Sequence, residues 1–158
     1  MEILIPAWVD GTLQPVEKLQ THLRGLRHKA VSVFVMQGDK TLLQCRALSK
    51  YHTPGLWANA CCTHPEWNES GLQCAIRRLG EELGIFGQTP VYRDTVEYRA
   101  DVGGGMIEHE VVEIFVVQAA EISIQPNVDE VMDYRWESLK DLAYQTRERP
   151  QEFTPWLK

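Results

Sequence analysis

One segment dictates the kind of fold open to this chain. From Ser70 to Leu83, the apolar residues Leu72, Ala75, Ile76, Leu79 and Leu83 recur at spacings of three and four, the period of an amphipathic helix. Gly84 follows as a residue able to end that helix in the left-handed conformation. Most of the remaining chain reads as strands and turns. Ile3–Val9 and Thr12–Val16 flank Asp10-Gly11, a two-residue hairpin signal, and Val31–Met36 and Thr41–Cys45 flank Gly38-Asp39. Further strands are expected at Val91–Arg99, Met106–Gln118 and Val131–Trp136, with Gly103-Gly104-Gly105 turning between the first two. Short helices are expected over Glu137–Gln145 and from Pro150 to Lys158, whereas Glu17–Lys29 is a polar stretch. Arg46–Glu69 has no clean period and reads as a long loop, a length commonly tied to function. One main helix on a mixed or antiparallel sheet makes a single α+β domain spanning 1–158, since 158 residues bury one core but not two.

Charge narrows the partners. With 22 acidic against 16 basic residues the net charge is -6, which argues against nucleic acid and against a membrane surface. On its face it argues against an anionic substrate too. No apolar run is long enough to span a bilayer, and Met1–Asp10 lacks the basic start of a signal peptide, so a cytoplasmic location with reduced thiols is expected. The four cysteines, Cys45, Cys61, Cys62 and Cys74, form no CxxC pair, which excludes a zinc ribbon and a thioredoxin-like motif.

Four groups of residues could carry chemistry. Glu108 and Glu110 stand two apart in a strand and project to one side, where they repel unless a cation or a shared proton relieves them. That face continues as Val112, Ile114 and Val116 and is expected to turn toward the core, which favours metal or acid/base work over a solvated edge. Cys62 and His64 fit a nucleophile with its base, a metal pair or two packed residues, and packing is the default for a lone C-x-H. His22 and His28 are six apart, wrong for one helical face, so each alone reads as a surface histidine. Arg77, Arg78, Glu81 and Glu82 lie off the apolar stripe and by default form a solvated face with i,i+4 pairs such as Arg78–Glu82.

The last group is more specific than that default. Glu69, Arg77, Leu79, Glu81, Glu82, Gly84 and Ile85 resemble the Nudix box, G-x5-E-x7-R-E-U-x-E-E-x-G-U with U apolar, in which helix acids hold a divalent cation against a diphosphate. Thr63 replaces the leading Gly and Arg78 replaces a Glu that hydrolysing members use at the metal. A cation there attracts phosphate while weakening hydrolysis, so an ordinary pyrophosphohydrolase is the rival reading, and a non-catalytic metal-binding module is another.

The full set of motifs resembles one Nudix branch, the type I isopentenyl-diphosphate isomerases. The carriers are Arg46-Ala47-Leu48-Ser49-Lys50, Pro54–Asn59, Cys62-Thr63-His64-Pro65, Arg77–Gly84, Glu108-His109-Glu110, Asp129-Glu130-Val131 before Trp136, and Phe153-Thr154-Pro155-Trp156, in order over nearly the whole chain. The resemblance implies a Nudix-type mixed sheet with flanking helices and an N-terminal β-hairpin extension. It implies one divalent ion (zinc, manganese or magnesium) held by His22, His28, His64, Glu108 and Glu110, and a magnesium ion bridging Glu82 and the substrate diphosphate. Lys18, Arg46, Lys50 and Arg78 match positions that contact the diphosphate. Cys62 and Glu110 match the catalytic pair, Tyr98 the residue that hydrogen-bonds the acid, and Trp156 an aromatic lid. The implied partner is a small-molecule diphosphate, with the chain a monomer or weak homodimer.

Overall fold

The structure, a computed structural model, describes residues 3–50 and 53–157. Its elements in chain order are β1 (Leu4–Val9), β2 (Thr12–Glu17), α1 (Lys18–Leu23), β3 (Arg27–Gln37), β4 (Lys40–Arg46), β5 (Trp57–Asn59), β6 (Cys61–Thr63), α2 (Gly71–Leu83), β7 (Val91–Gly103), β8 (Met106–Gln118), β9 (Val131–Ser138) and α3 (Leu139–Glu148). Two short 3-10 turns, Pro150–Glu152 and Pro155–Leu157, stand where a third helix was expected.

β3 is the organising strand. One edge runs parallel to β8 from Arg27↔His109 to Met36↔Gln118. The other edge is shared by β1 at His28, β6 at Val31–Val33 and β4 at the hairpin end. β4 continues the sheet through β5 and β9. Because successive strand residues face opposite sides, adjacent Leu42 and Leu43 enter different cores. Leu42 joins Val31, Val33, Val35, Phe115 and Val117 under α2, whereas Leu43 joins Leu142 of α3 and Phe153. The sheet is thus covered by a helix on each face.

The local signals hold where turn chemistry decides them. Asp10 (φ 50) and Gly11 (φ 80) make the two-residue turn between β1 and β2. Ser70 accepts from the Gln73 amide and the Gln73 side chain returns to the Ser70 amide, closing a capping box at the start of α2. Gly84 ends that helix at φ 62, and a Cβ there would sit 2.5 Å from the Gln125 carbonyl oxygen. Gly84→Ala combines positive-φ strain of roughly 1–2 kcal/mol with a backbone clash. A melting temperature lowered by several degrees is the expected result, and an unchanged one would refute that account.

Other expectations need correction. The polar stretch before β3 contains α1, and β3 starts at Arg27 rather than Val31, which moves His28 onto a central strand. The 46–69 loop contains β5 and β6, each only three residues long and therefore without a readable period. Leu72 and Ile76 are 40% and 47% exposed, and α2 instead buries Cys74, Ala75, Leu79, Glu82 and Leu83. β7 extends to Gly103 and α3 starts at Leu139 behind its cap, Ser138.

Candidate active site

Five side chains from four parts of the chain meet at one end of β3. Glu17 accepts from the Leu19 and Gln20 amides and so starts α1, whose last turn carries His22. Gly25 at φ 65 turns the chain into β3, where His28 lies opposite Glu110 of β8. His64 follows β6, and Glu108 and Glu110 project from one side of β8. All five are buried. One ligand atom each from His22, His28, His64 and Glu108 can be chosen so that all lie within 4.8 Å of one another. Glu110 borders this set, its Oε2 lying 2.9 Å from His64 Nε2 and 3.3 Å from His28 Nε2.

Donor chemistry fits a divalent cation. His22 Nδ1 stands 2.8 Å from the Lys18 carbonyl and His28 Nδ1 stands 2.7 Å from that of Leu26, contacts that place the N–H on Nδ1 and leave Nε2 basic toward the cluster. Burial opposes charge on His28, but Glu108 and Glu110 outweigh it and raise its pKa to about 10. Burial and the neighbouring Glu108 raise Glu110 to about 8, and burial holds His64 well below its ordinary value. Two buried carboxylates thus draw in positive charge, which an ion held by three imidazoles would provide. The reading of His22 and His28 as surface residues is overturned, since both are fully buried.

Beyond the cluster lies a cavity of about 270 Å³, with Cys62, Glu110, Tyr98 and Trp156 in its wall. β6 and β8 lie on opposite edges of β3, so Cys62 and Glu110 reach the cavity from either side of that strand. Ser32, Phe34, Val96, Val112 and Ile114 also line it. The expectation that Val112 and Ile114 enter the core is therefore corrected. The core side of β8 is Phe115 and Val117, the opposite face of a strand whose register with β3 runs unbroken from Arg27↔His109 to Met36↔Gln118.

Asn59, missed as a functional residue, governs the thiol. Its Nδ2 donates to the Val33 carbonyl at 2.9 Å and to Ser32 Oγ at 2.9 Å, with the Cys61 carbonyl 3.2 Å away. This fixes the amide so that Oδ1 accepts from Cys62 Sγ at 2.8 Å. An oxygen aimed at sulfur favours the thiol over the thiolate, and burial pushes the Cys62 pKa up in the same direction. The Tyr98 hydroxyl is buried and hydrogen-bonds to no described group, so the expected bond to Glu110 is not made, although the two residues are cross-strand partners. Burial and the charges of Glu110 and Glu108 keep Tyr98 protonated.

The basic residues gather beside the histidine–carboxylate cluster. Lys18 starts α1, Lys50 follows β4 and Arg78 lies on α2. Burial, Lys50 and Arg78 together lower Lys18 to about 8. Arg46 stands closer to the cavity, its guanidinium 5.6 Å from the Trp156 ring centre. Lys18, Lys50 and Arg78 therefore converge, with Arg46 nearer the cavity, despite the net charge of -6.

The helix acids divide sharply. Arg77 holds Glu69 through two hydrogen bonds of 2.7 and 2.9 Å, and also holds Glu81. Glu81 is further tied to Arg78. Glu82 is buried, with Arg78 Nε 3.4 Å from Oε2 and no hydrogen bond to that oxygen, so it is not part of a solvated face. A buried carboxylate oxygen beside phosphate-sized positive charge fits a magnesium–diphosphate bridge.

Comparisons with known proteins agree with this geometry. The NUDIX domain pattern matches residues 26–157. The chain is 60% identical over 159 residues to the isopentenyl-diphosphate Delta-isomerase of Dinoroseobacter shibae, covering 100% of this chain and 90% of that protein. It is 61% identical to the isomerase of the same name from Jannaschia sp., covering 99% and 90%. A Deinococcus radiodurans protein shares the fold with TM-score 0.70 at 12% identity, covering 94% of this chain and 90% of that one. The Methanosarcina mazei MutT protein does so with TM-score 0.60 at 18% identity, covering 75% and 81%. With the domain matched over residues 26–157 and relatives of 60% and 61% identity covering nearly the whole chain, the chain belongs to the isopentenyl-diphosphate Delta-isomerase family of NUDIX-domain proteins.

Proposed function

We propose that this chain interconverts isopentenyl and dimethylallyl diphosphate by adding a proton to the alkene and removing another from a neighbouring carbon. The observation that carries this reading is the placement of Cys62 and Glu110 in one largely apolar cavity beside converging cations. The reaction moves a double bond without redox change, so it needs a proton donor and an acceptor on the two sides of a five-carbon chain. Each group serves as donor in one direction and acceptor in the other.

Asn59 and burial keep Cys62 supplied with its proton. Tyr98, cross-strand from Glu110, is a neutral hydroxyl able to donate a hydrogen bond into the site. Lys18, Lys50, Arg78 and Arg46 hold the diphosphate, and Glu82 would hold its magnesium. A divalent ion held by His22, His28, His64, Glu108 and Glu110 would lower the proton affinity of Glu110. A tertiary carbocation must be shielded from water and offered no nucleophile. Phe34, Val96, Val112 and Ile114 supply an apolar wall, and the Trp156 ring face is worth about 2 kcal/mol to a desolvated cation. The lid is anchored through Thr154, whose amide donates to the Trp57 carbonyl at 2.9 Å, and through buried Phe153.

Incubation with isopentenyl diphosphate and magnesium in heavy water tests the reading. Deuterium should enter dimethylallyl diphosphate while phosphorus NMR shows the diphosphate intact. An unlabelled product, or net release of phosphate or pyrophosphate, would overturn it and favour the hydrolase reading.

A further inference from the structure

The cations assigned to the diphosphate already share an anion. Glu130 lies in the turn before β9, its backbone pinned by Glu130 N–H to the Asn127 carbonyl at 2.9 Å and by Ala47 N–H to the Glu130 carbonyl at 3.0 Å. From this fixed base its Oε2 takes both Lys50 Nζ and, at 3.2 Å, Arg78 Nη2. One oxygen held by an ammonium and a guanidinium imitates a phosphoryl oxygen. Lys50 and Glu130 also line an open pocket with Lys18. Burial works against charge on Glu130, yet Lys50 and Arg78 keep it ionised.

We propose that Glu130 is a specificity-determining residue, an internal anion that makes the Lys50–Arg78 site accept diphosphate as its metal complex and resist the bare diphosphate. The inference rests on the reading of Lys18, Lys50 and Arg78 as the diphosphate site. Its physical basis is charge scaling. A ligand taking Lys50 and Arg78 must displace Glu130 and then sit beside its carboxylate, and the repulsion grows with the ligand's own charge. A divalent cation removes two negative charges from the diphosphate, so the complex suffers far less than the bare anion. Arg78 stands between Glu130 and Glu82, which places the repelling carboxylate on one side of that guanidinium and the magnesium-binding one on the other. Discrimination then comes from a repulsive element set against the wrong form of the ligand.

The test is equilibrium binding of inorganic pyrophosphate, titrated with and without magnesium, to the full chain and to Glu130→Gln, Glu130→Asp and Lys50→Ala. Glu130→Gln should tighten binding of bare pyrophosphate by roughly tenfold or more, and that of magnesium pyrophosphate by about threefold at most. Glu130→Asp keeps the charge and should keep the magnesium dependence, an outcome that loss of packing alone would not produce. Equal changes for both ligand forms, or weaker binding of the magnesium complex to Glu130→Gln, would overturn the assignment while leaving the diphosphate site intact. If Lys50→Ala leaves pyrophosphate binding unchanged, the diphosphate reading fails and the role of Glu130 fails with it.

Discussion

Cys62→Ala should reduce formation of deuterated dimethylallyl diphosphate by about 10²–10⁴-fold, the usual worth of a positioned proton donor or acceptor, and should leave the melting temperature close to that of the parent. The separation of the two effects follows from where the adjacent thiols point. Cys61 is fully buried within the α2 core, among Val31, Leu42 and Leu79. Cys62 is turned the other way, into the cavity wall. Removing its sulfur costs the contacts with Asn59 Oδ1 and Ser32 Oγ and opens no void in the core. Cys61→Ala is the internal control, because it should lower the melting temperature and retain exchange. A Cys62→Ala protein with full exchange would show that the thiol is a packed residue and that the acid/base pair lies elsewhere.

What could be read in advance depended on how far apart in the chain the deciding contacts are. The Asp10-Gly11 turn and the Gly84 stop are local events, and the residues alone identify them. The histidine cluster is different. His22 approaches Glu108 only because α1, Gly25 and the parallel pairing of β3 with β8 act together, so no spacing rule exposes it and only the family resemblance named it. Glu81 and Glu82 are neighbours in sequence, yet one is half-exposed and ion-paired while the other is buried, since a helix turns about 100° per residue. The even-numbered face of β8 was legible as turned inward, but not that it lines the cavity while the core takes Phe115 and Val117 from the other face. Asn59 and Glu130 lay inside the motif blocks and were passed over. Asn59 acts through backbone carbonyls on two other strands, and Glu130 through cations from two other elements, contacts that chain closure alone creates.

Loading the histidine site with zinc or manganese should raise the melting temperature, and more so at pH 8 than at pH 6.5. In the metal-free fold Glu110 keeps its proton up to about 8 against an ordinary value of 4.5, so the unfolded chain binds fewer protons across that interval and stability falls as pH rises through it. His28, raised from 6.5 to about 10, contributes stability that is full below 6.5 and is lost on rising toward 10. His64 has the opposite sign, because its depressed pKa favours folding as pH rises, but most of that contribution is already in place at 6.5, where the unfolded imidazole is half deprotonated. Above pH 6.5 the net effect of the cluster is therefore to weaken the empty fold. A bound cation replaces those protons, so its affinity rises over the same range. An ion present at about 100 times its Kd adds about 2.7 kcal/mol, or roughly 5–11 °C for a chain of this size. Glu110→Gln removes one of the two carboxylates that demand the charge, and should shrink both the shift and its pH dependence while abolishing exchange. A metal-induced shift that is equal at the two pH values would mean that protons and metal do not compete for these side chains, and the cluster would then not be the metal centre.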